Sequence, residues 1–85
     1  MRIRLLVELC SVPKWESDLK KFGEAVRDER LGQGLSQEEL AHRAGLDRSY
    51  VGGVERGERN VSLLNILKIV RALGIEASRL LKGLE

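Results

Sequence analysis

A chain of 85 residues has room for one small core, and with Phe, Tyr and Trp present once each that core must be built from Leu, Ile, Val and Ala. Against 13 acidic residues stand 15 basic ones, a formal charge of only +2, so a nucleic-acid partner would depend on where the arginines sit rather than on their number. Cys10 is the only cysteine and His42 the only histidine, which excludes an internal disulfide and leaves neither residue the companions that a metal site or a Cys/His catalytic pair requires.

The opening MRIRLLVELC is too short to span a bilayer and lacks a small-residue cleavage pattern, so a cytoplasmic location with no membrane partner is expected. Within it Ile3, Leu5, Val7 and Leu9 alternate with Arg2, Arg4 and Glu8, the pattern of a strand that ends at Pro13. A lone strand cannot satisfy its own backbone, so this segment needs a partner or stays irregular. Residues 1–16 are therefore set apart as an extension, and residues 17–85 as the folded domain.

Helical spacing begins with Leu19, Phe22 and Val26, with Ser17 or Asp18 placed to cap the first helix, which should end near Leu31 before Gly32 and Gly34. In LSQEEL, Ser36 can accept from the backbone of Glu39 while Glu39 reaches back, and Leu35 can pack on Leu40: a capping box with a hydrophobic staple. The second helix should run over 37–44 and close at Gly45. Asp47 then serves as the next cap, with Leu46 stapling onto Val51, and a third helix runs to about Arg56. Ser62 opens a strongly apolar fourth helix that Gly74 terminates, and a last short helix over 77–82 carries Leu80 and Leu81. Leu19, Phe22, Val26, Leu40, Ala44, Val51, Val54, Ile66, Ile69, Val70 and Leu73 are the expected core. The fold class is all-α, five helices behind a short extension that is a candidate strand.

Two short helices joined by a turn of about three residues led by glycine are the sequence form of a helix-turn-helix unit. The segment SQEELAHRAGLDRSYVGGVERG, residues 36–57, resembles the helix-turn-helix of the phage repressor and Cro family, also called the XRE family. The likeness rests on Gln37 at the opening, small Ala41 where the helices cross, Gly45 in the turn, and Val51 and Val54 facing inward. A bulky residue at Ala41 would push the helices apart, and a side chain at Gly45 would strain the turn. The run DRSYVGGVERGERNVSLLNI is especially similar to the controller proteins of restriction-modification systems.

That resemblance implies double-stranded DNA as the partner and puts the N-terminal residues of the third helix, Arg48, Ser49 and Tyr50, at base edges in the major groove. A guanidinium can donate twice to guanine, so Arg48 is the first candidate for direct readout; Ser49 is less selective, and Tyr50 can meet a thymine methyl or a phosphate. Gly52 and Gly53 allow two readings: an outer face that brings the backbone close to DNA, with Gly53 counted among the readout residues, or a weak helix held by its neighbours. Gln37, Arg56, Arg59 and Asn60 are expected at the DNA backbone, whereas Arg43 is read as a solvated surface charge. Alignment with the family also implies an ion pair between Arg30 and Glu55 that braces the recognition helix.

A single such domain contacts few base pairs, so a homodimer on a two-fold operator is expected, joined through Ile75, Leu80, Leu81 and Leu84; Leu80 and Leu81 could instead close the monomer's own core. A different reading makes the chain an antitoxin whose N-terminal segment adds a strand to a toxin. Catalysis is not expected, because no nucleophile, base and oxyanion donors can be assembled from these residues, and neither a cofactor nor a small-molecule ligand is indicated.

Overall fold

The ends of the helices are set by short-range signals, and most of them act where the sequence places them. A computed structural model describes residues 14–84 as an all-α fold of α1 (Lys14–Gly32), α2 (Gln37–Ala44), α3 (Arg48–Glu55), α4 (Leu63–Leu73) and α5 (Ala77–Leu81). The alternating segment 3–9, and with it both Cys10 and the strand offered to a partner, lies outside the described residues.

Ser36 has an extended backbone, its hydroxyl accepts from the Glu39 N–H at 3.0 Å, and a Glu39 carboxylate oxygen accepts from the Ser36 N–H at 2.8 Å. The backbone N–H of Ser36, and then its hydroxyl, hold the Glu39 carboxyl below the ordinary carboxylate range. Ser62 repeats the device for α4, accepting from the Asn65 N–H at 3.2 Å. Gly45 takes φ +70°, a conformation that costs a side-chain-bearing residue, and lets the Leu46 N–H donate to the Ala41 carbonyl at 2.9 Å. The same closure recurs at Gly74, where the Ile75 N–H donates to Val70.

Two expected caps are corrected. α1 is already helical at Lys14, so Ser17 and Asp18 lie inside it; no breaker separates residues 14–18 from the periodic stretch, and Glu16 favours the positive end of the helix dipole. Asp47 has the extended backbone of a cap, but its exposed side chain makes no capping bond: exposure leaves the carboxylate no need of the helix's N–H groups.

The apolar faces meet in one cluster: Phe22 and Val26 from α1, Leu40 and Ala41 from α2, Val51 and Val54 from α3, Ile69, Val70 and Leu73 from α4, Leu80 from α5, with Leu35 from the α1–α2 connection. Ala44 is buried as well, whereas Leu19 and Ile66 are half-buried. Ala41 is 2% exposed, as a small residue at a helix crossing should be. Leu80 is also 2% exposed, which withdraws it from the expected dimer surface: the rotation of α5 against α1 and α4 turns it into the core and leaves Leu81 outward.

α3 packs on α1 and α2, and α1 approaches it closely at a glycine. A Cβ on Gly23 would run into the carbonyl oxygen of Val54 and come within 2.7 Å of that of Glu55, both rigid backbone atoms. We therefore expect Gly23→Ala to lower unfolding free energy in urea by about 1 to 3 kcal/mol, the usual cost of overpacking. Gly32→Ala, where a Cβ meets nothing within 4 Å, is the control and should leave stability unchanged or raise it by up to about 1 kcal/mol.

Candidate nucleic-acid interface

Among the described residues, the contacts expected from the sequence are grouped around α3, whose sequence RSYVGGVE is a poor helix former because of its paired glycines and β-branched valines. Its inner side is fixed by Val51 and Val54, 0% and 1% exposed. Its far end is fixed by Glu55, which is buried together with Arg30 of α1. Arg30 Nε donates to Glu55 Oε2 at 2.7 Å, Nη2 to Oε1 at 3.0 Å, and Nη1 to the Leu35 carbonyl at 2.8 Å. The hydrogen bonds to Glu55 raise the pKa of the Arg30 guanidinium above its already high ordinary value.

Gln37, at the start of α2, is half-buried and joins this network, donating from Nε2 to Glu55 Oε1 at 3.0 Å. A carboxylate only accepts, so the amide nitrogen must face inward and the carbonyl oxygen outward, over Gly52. Arg48 and Ser49 are exposed at the opposite end, on the first turn of α3. The interface thus has a braced rear and an uncommitted front.

Tyr50 is placed differently from expectation, and of the two readings of the glycines the burial fits the helix held by its neighbours. Tyr50 is half-buried against the core cluster, and its hydroxyl oxygen accepts from Asn65 Nδ2 at 3.0 Å. The guanidinium of Arg59 lies over its ring, 5.7 Å from the centroid. Tyr50 therefore joins the first turns of α3 and α4 rather than standing free at a base edge. Gly52 and Gly53 are both buried. A Cβ on Gly52 would lie 3.1 Å from Arg56 Nη1 and 3.4 Å from Gln37 Oε1; one on Gly53 would lie 3.1 Å from Arg59 Nε and 3.2 Å from its Cγ. Each glycine is a bare step on which a long side chain lies, and Gly53 is covered by Arg59 instead of open for readout.

The remaining expected contacts are exposed. Arg56 donates from Nε to Glu58 at 3.1 Å, and its pKa is raised by that bond, while Arg59, Asn60 and Arg43 lie at the surface. At the C-terminal end Leu81 is 39% exposed, with Ile75 and Leu84 half-buried against the core. His42 and Trp15 are exposed, and no group of three or more His, Cys, Asp or Glu residues among the described residues could hold a metal ion. Among the described residues no helix is long and apolar enough to cross a membrane. Sequence reasoning missed Asn65 and Gly23: the first lies 15 residues from its tyrosine and has no local pattern, whereas a lone glycine inside a helical stretch does signal close backbone approach.

Comparison with known proteins agrees with this geometry. A helix-turn-helix family model matches residues 26–80. The control protein C.BamHI from Bacillus amyloliquefaciens is 51% identical over 61 residues, covering 71% of this chain and 75% of that one. The control protein C.MunI from Mycoplasma sp is 42% identical over 71 residues, 81% of this chain and 96% of that one. The crystal structure of the restriction-modification controller protein C.AhdI from Aeromonas hydrophila superposes with a TM-score of 0.74 at 64% identity, over 75% of this chain and 97% of that one.

The bracing pair can be tested by stability. Arg30→Met leaves the Glu55 carboxylate buried without its cation and should cost about 3 to 5 kcal/mol in urea unfolding. Replacing both partners, Arg30→Met with Glu55→Leu, should recover much of that loss; equal losses in the single and double variants would show that the charge pairing is not what matters.

Proposed function

The chain belongs to the helix-turn-helix family, whose members are DNA-binding regulators of transcription and not enzymes, and from that premise we propose that it controls the genes of a restriction-modification system as a homodimer on a two-fold operator. The observation that carries the reading is the contrast within α3: residues 51–55 are buried in a helix packed on α1 and α2, whereas Arg48 and Ser49 project from the first turn with no partner that folding requires. A rigid helix with exposed polar residues at its amino end fits the major groove, where a guanidinium donates two hydrogen bonds to guanine O6 and N7. Arg56, Arg59 and Asn60 are assigned to phosphates beside that groove, and Gln37 to the same role through the backbone N–H groups at the start of α2, contacts that set the register without reading sequence. Tyr50 acts as a positioning residue, holding α4 and Arg59 beside the readout pair. Acting on the cell's own DNA, the protein works in the cytoplasm.

One subunit presents a small interface, and two are needed for specific affinity. In this reading the subunits meet around Leu81, the exposed apolar residue of α5, with Ile75 and Leu84 at its edge. Leu81→Asp should convert the dimer to a folded monomer in sedimentation; an unaltered dimer would place the contact elsewhere. Footprinting upstream of the chain's own gene should show two protected half-sites about 34 Å apart or a multiple of it. Arg48→Ala should reduce discrimination at one base pair in each half-site by about 1 to 3 kcal/mol while leaving non-specific binding nearly unchanged, as read by titration against operators substituted at each position. Intact sequence preference in that variant would refute the readout role.

A further inference from the structure

A cleft of about 380 Å³ lies between α1 and the exit of α3, lined by Lys20, Glu24, Arg27, Gln37, Glu55 and Arg56. Three of these residues, Lys20, Glu24 and Arg27, belong to α1, outside the helix-turn-helix unit. Their position follows from the two bare backbones described by the glycines. At Gly23 the missing side chain lets α1 settle on the carbonyls of Val54 and Glu55. Lys20 and Arg27 stand three residues before and four after it, one turn to either side on the same face. At Gly57, with φ +77°, a Cβ would lie 2.7 Å from Lys20 Cγ, so the lysine stem runs along the exit of α3.

The charges in and around the cleft are not balanced. Glu55 is neutralised by Arg30, and Arg56 bonds Glu58. Lys20 and Arg27 then face one carboxylate, Glu24. The positive end of the α2 dipole opens at Gln37 on the same cleft. A chain of phosphates passing the start of α2 meets this cleft next. We infer that Lys20 and Arg27, together with the backbone N–H groups that open α2 at Gln37 and with the guanidinium of Arg56, seat a backbone phosphate of duplex DNA, extending the contact from the helix-turn-helix unit onto α1. The inference rests on the DNA-binding reading and adds to it a binding site on a helix that the reading treats as support.

A phosphate contact shows itself in salt dependence, because each neutralised phosphate releases counterions. Affinity for a short duplex of arbitrary sequence is measured by fluorescence anisotropy between about 50 and 200 mM salt for the full chain and for Lys20→Gln, Arg27→Gln and the double variant. Glutamine keeps much of each stem, and both positions are exposed. Arg71→Gln, on the last turn of α4 and so away from the end that Asn65 ties to Tyr50, is the charge control. The double variant should flatten the plot of log affinity against log salt by about 0.9 per bound subunit, the share of one phosphate, and each single seat substitution by part of that, equally for operator and arbitrary duplex. Arg71→Gln should leave the slope as it is. If the cations only offset the negative end of the α3 dipole, the variants will lose thermal stability with an unchanged slope, and the seat is overturned. A slope that changes no more than the control does also overturns it, while the DNA-binding reading stands. A wild-type chain that ignores duplexes at low salt overturns both.

Discussion

The buried carboxylate of Glu55 is where four parts of the chain are joined. Arg30 reaches it from α1, Gln37 from α2, and the same arginine holds the Leu35 carbonyl of the connection between them, while Glu55 itself ends α3. Two opposite charges out of water are tolerated only when every hydrogen-bonding position is met, and a network of that kind penalises any other placement of the helices. Sliding α3 by a turn would leave a guanidinium and a carboxylate apart inside apolar packing. The pair thus converts a weak helix-forming sequence into one with a single orientation relative to α1 and α2, which is what precise contact with a partner requires.

Around that network, closeness is achieved by leaving atoms out. Gly23 admits the backbone of α1 to that of α3, Gly57 admits the lysine stem, and Gly52 and Gly53 give Arg56, Gln37 and Arg59 flat ground. Two interior glycines cost about 2 kcal/mol of helix propensity between them, so α3 is stable because of what lies against it and would not persist alone. The recognition element is thereby a property of the whole domain.

Much of this could be read from the residues in order, and the division between what could and could not is physical. Ser36 with Glu39, Gly45, Ser62 and Gly74 act over three to six residues, and their effect on helix ends is local. The inward side of α3 followed from apolar spacing, whereas the outward position of Arg48 and Ser49 came from the family resemblance. Asp47 shows the limit of that approach, since a residue type suited to capping does not decide whether its side chain turns to the helix or to water. Leu80 and Leu81 are neighbours with the same chemistry, and only the rotation of α5 against the rest separates core from surface. Tyr50 with Asn65, and Gly53 beneath Arg59, are meetings across turns that no window of a few residues contains.

The exposed first turn of α3 has a bearing on how such a protein changes over generations. Arg48 and Ser49 touch neither the core nor the Glu55 network, so exchanging them disturbs folding little. On the proposed readout, new target preferences are open to the lineage by single steps that leave the scaffold intact. Residues 51–55 have no such freedom, and divergence among descendants should concentrate on the first turn while the rear of the helix stays constant.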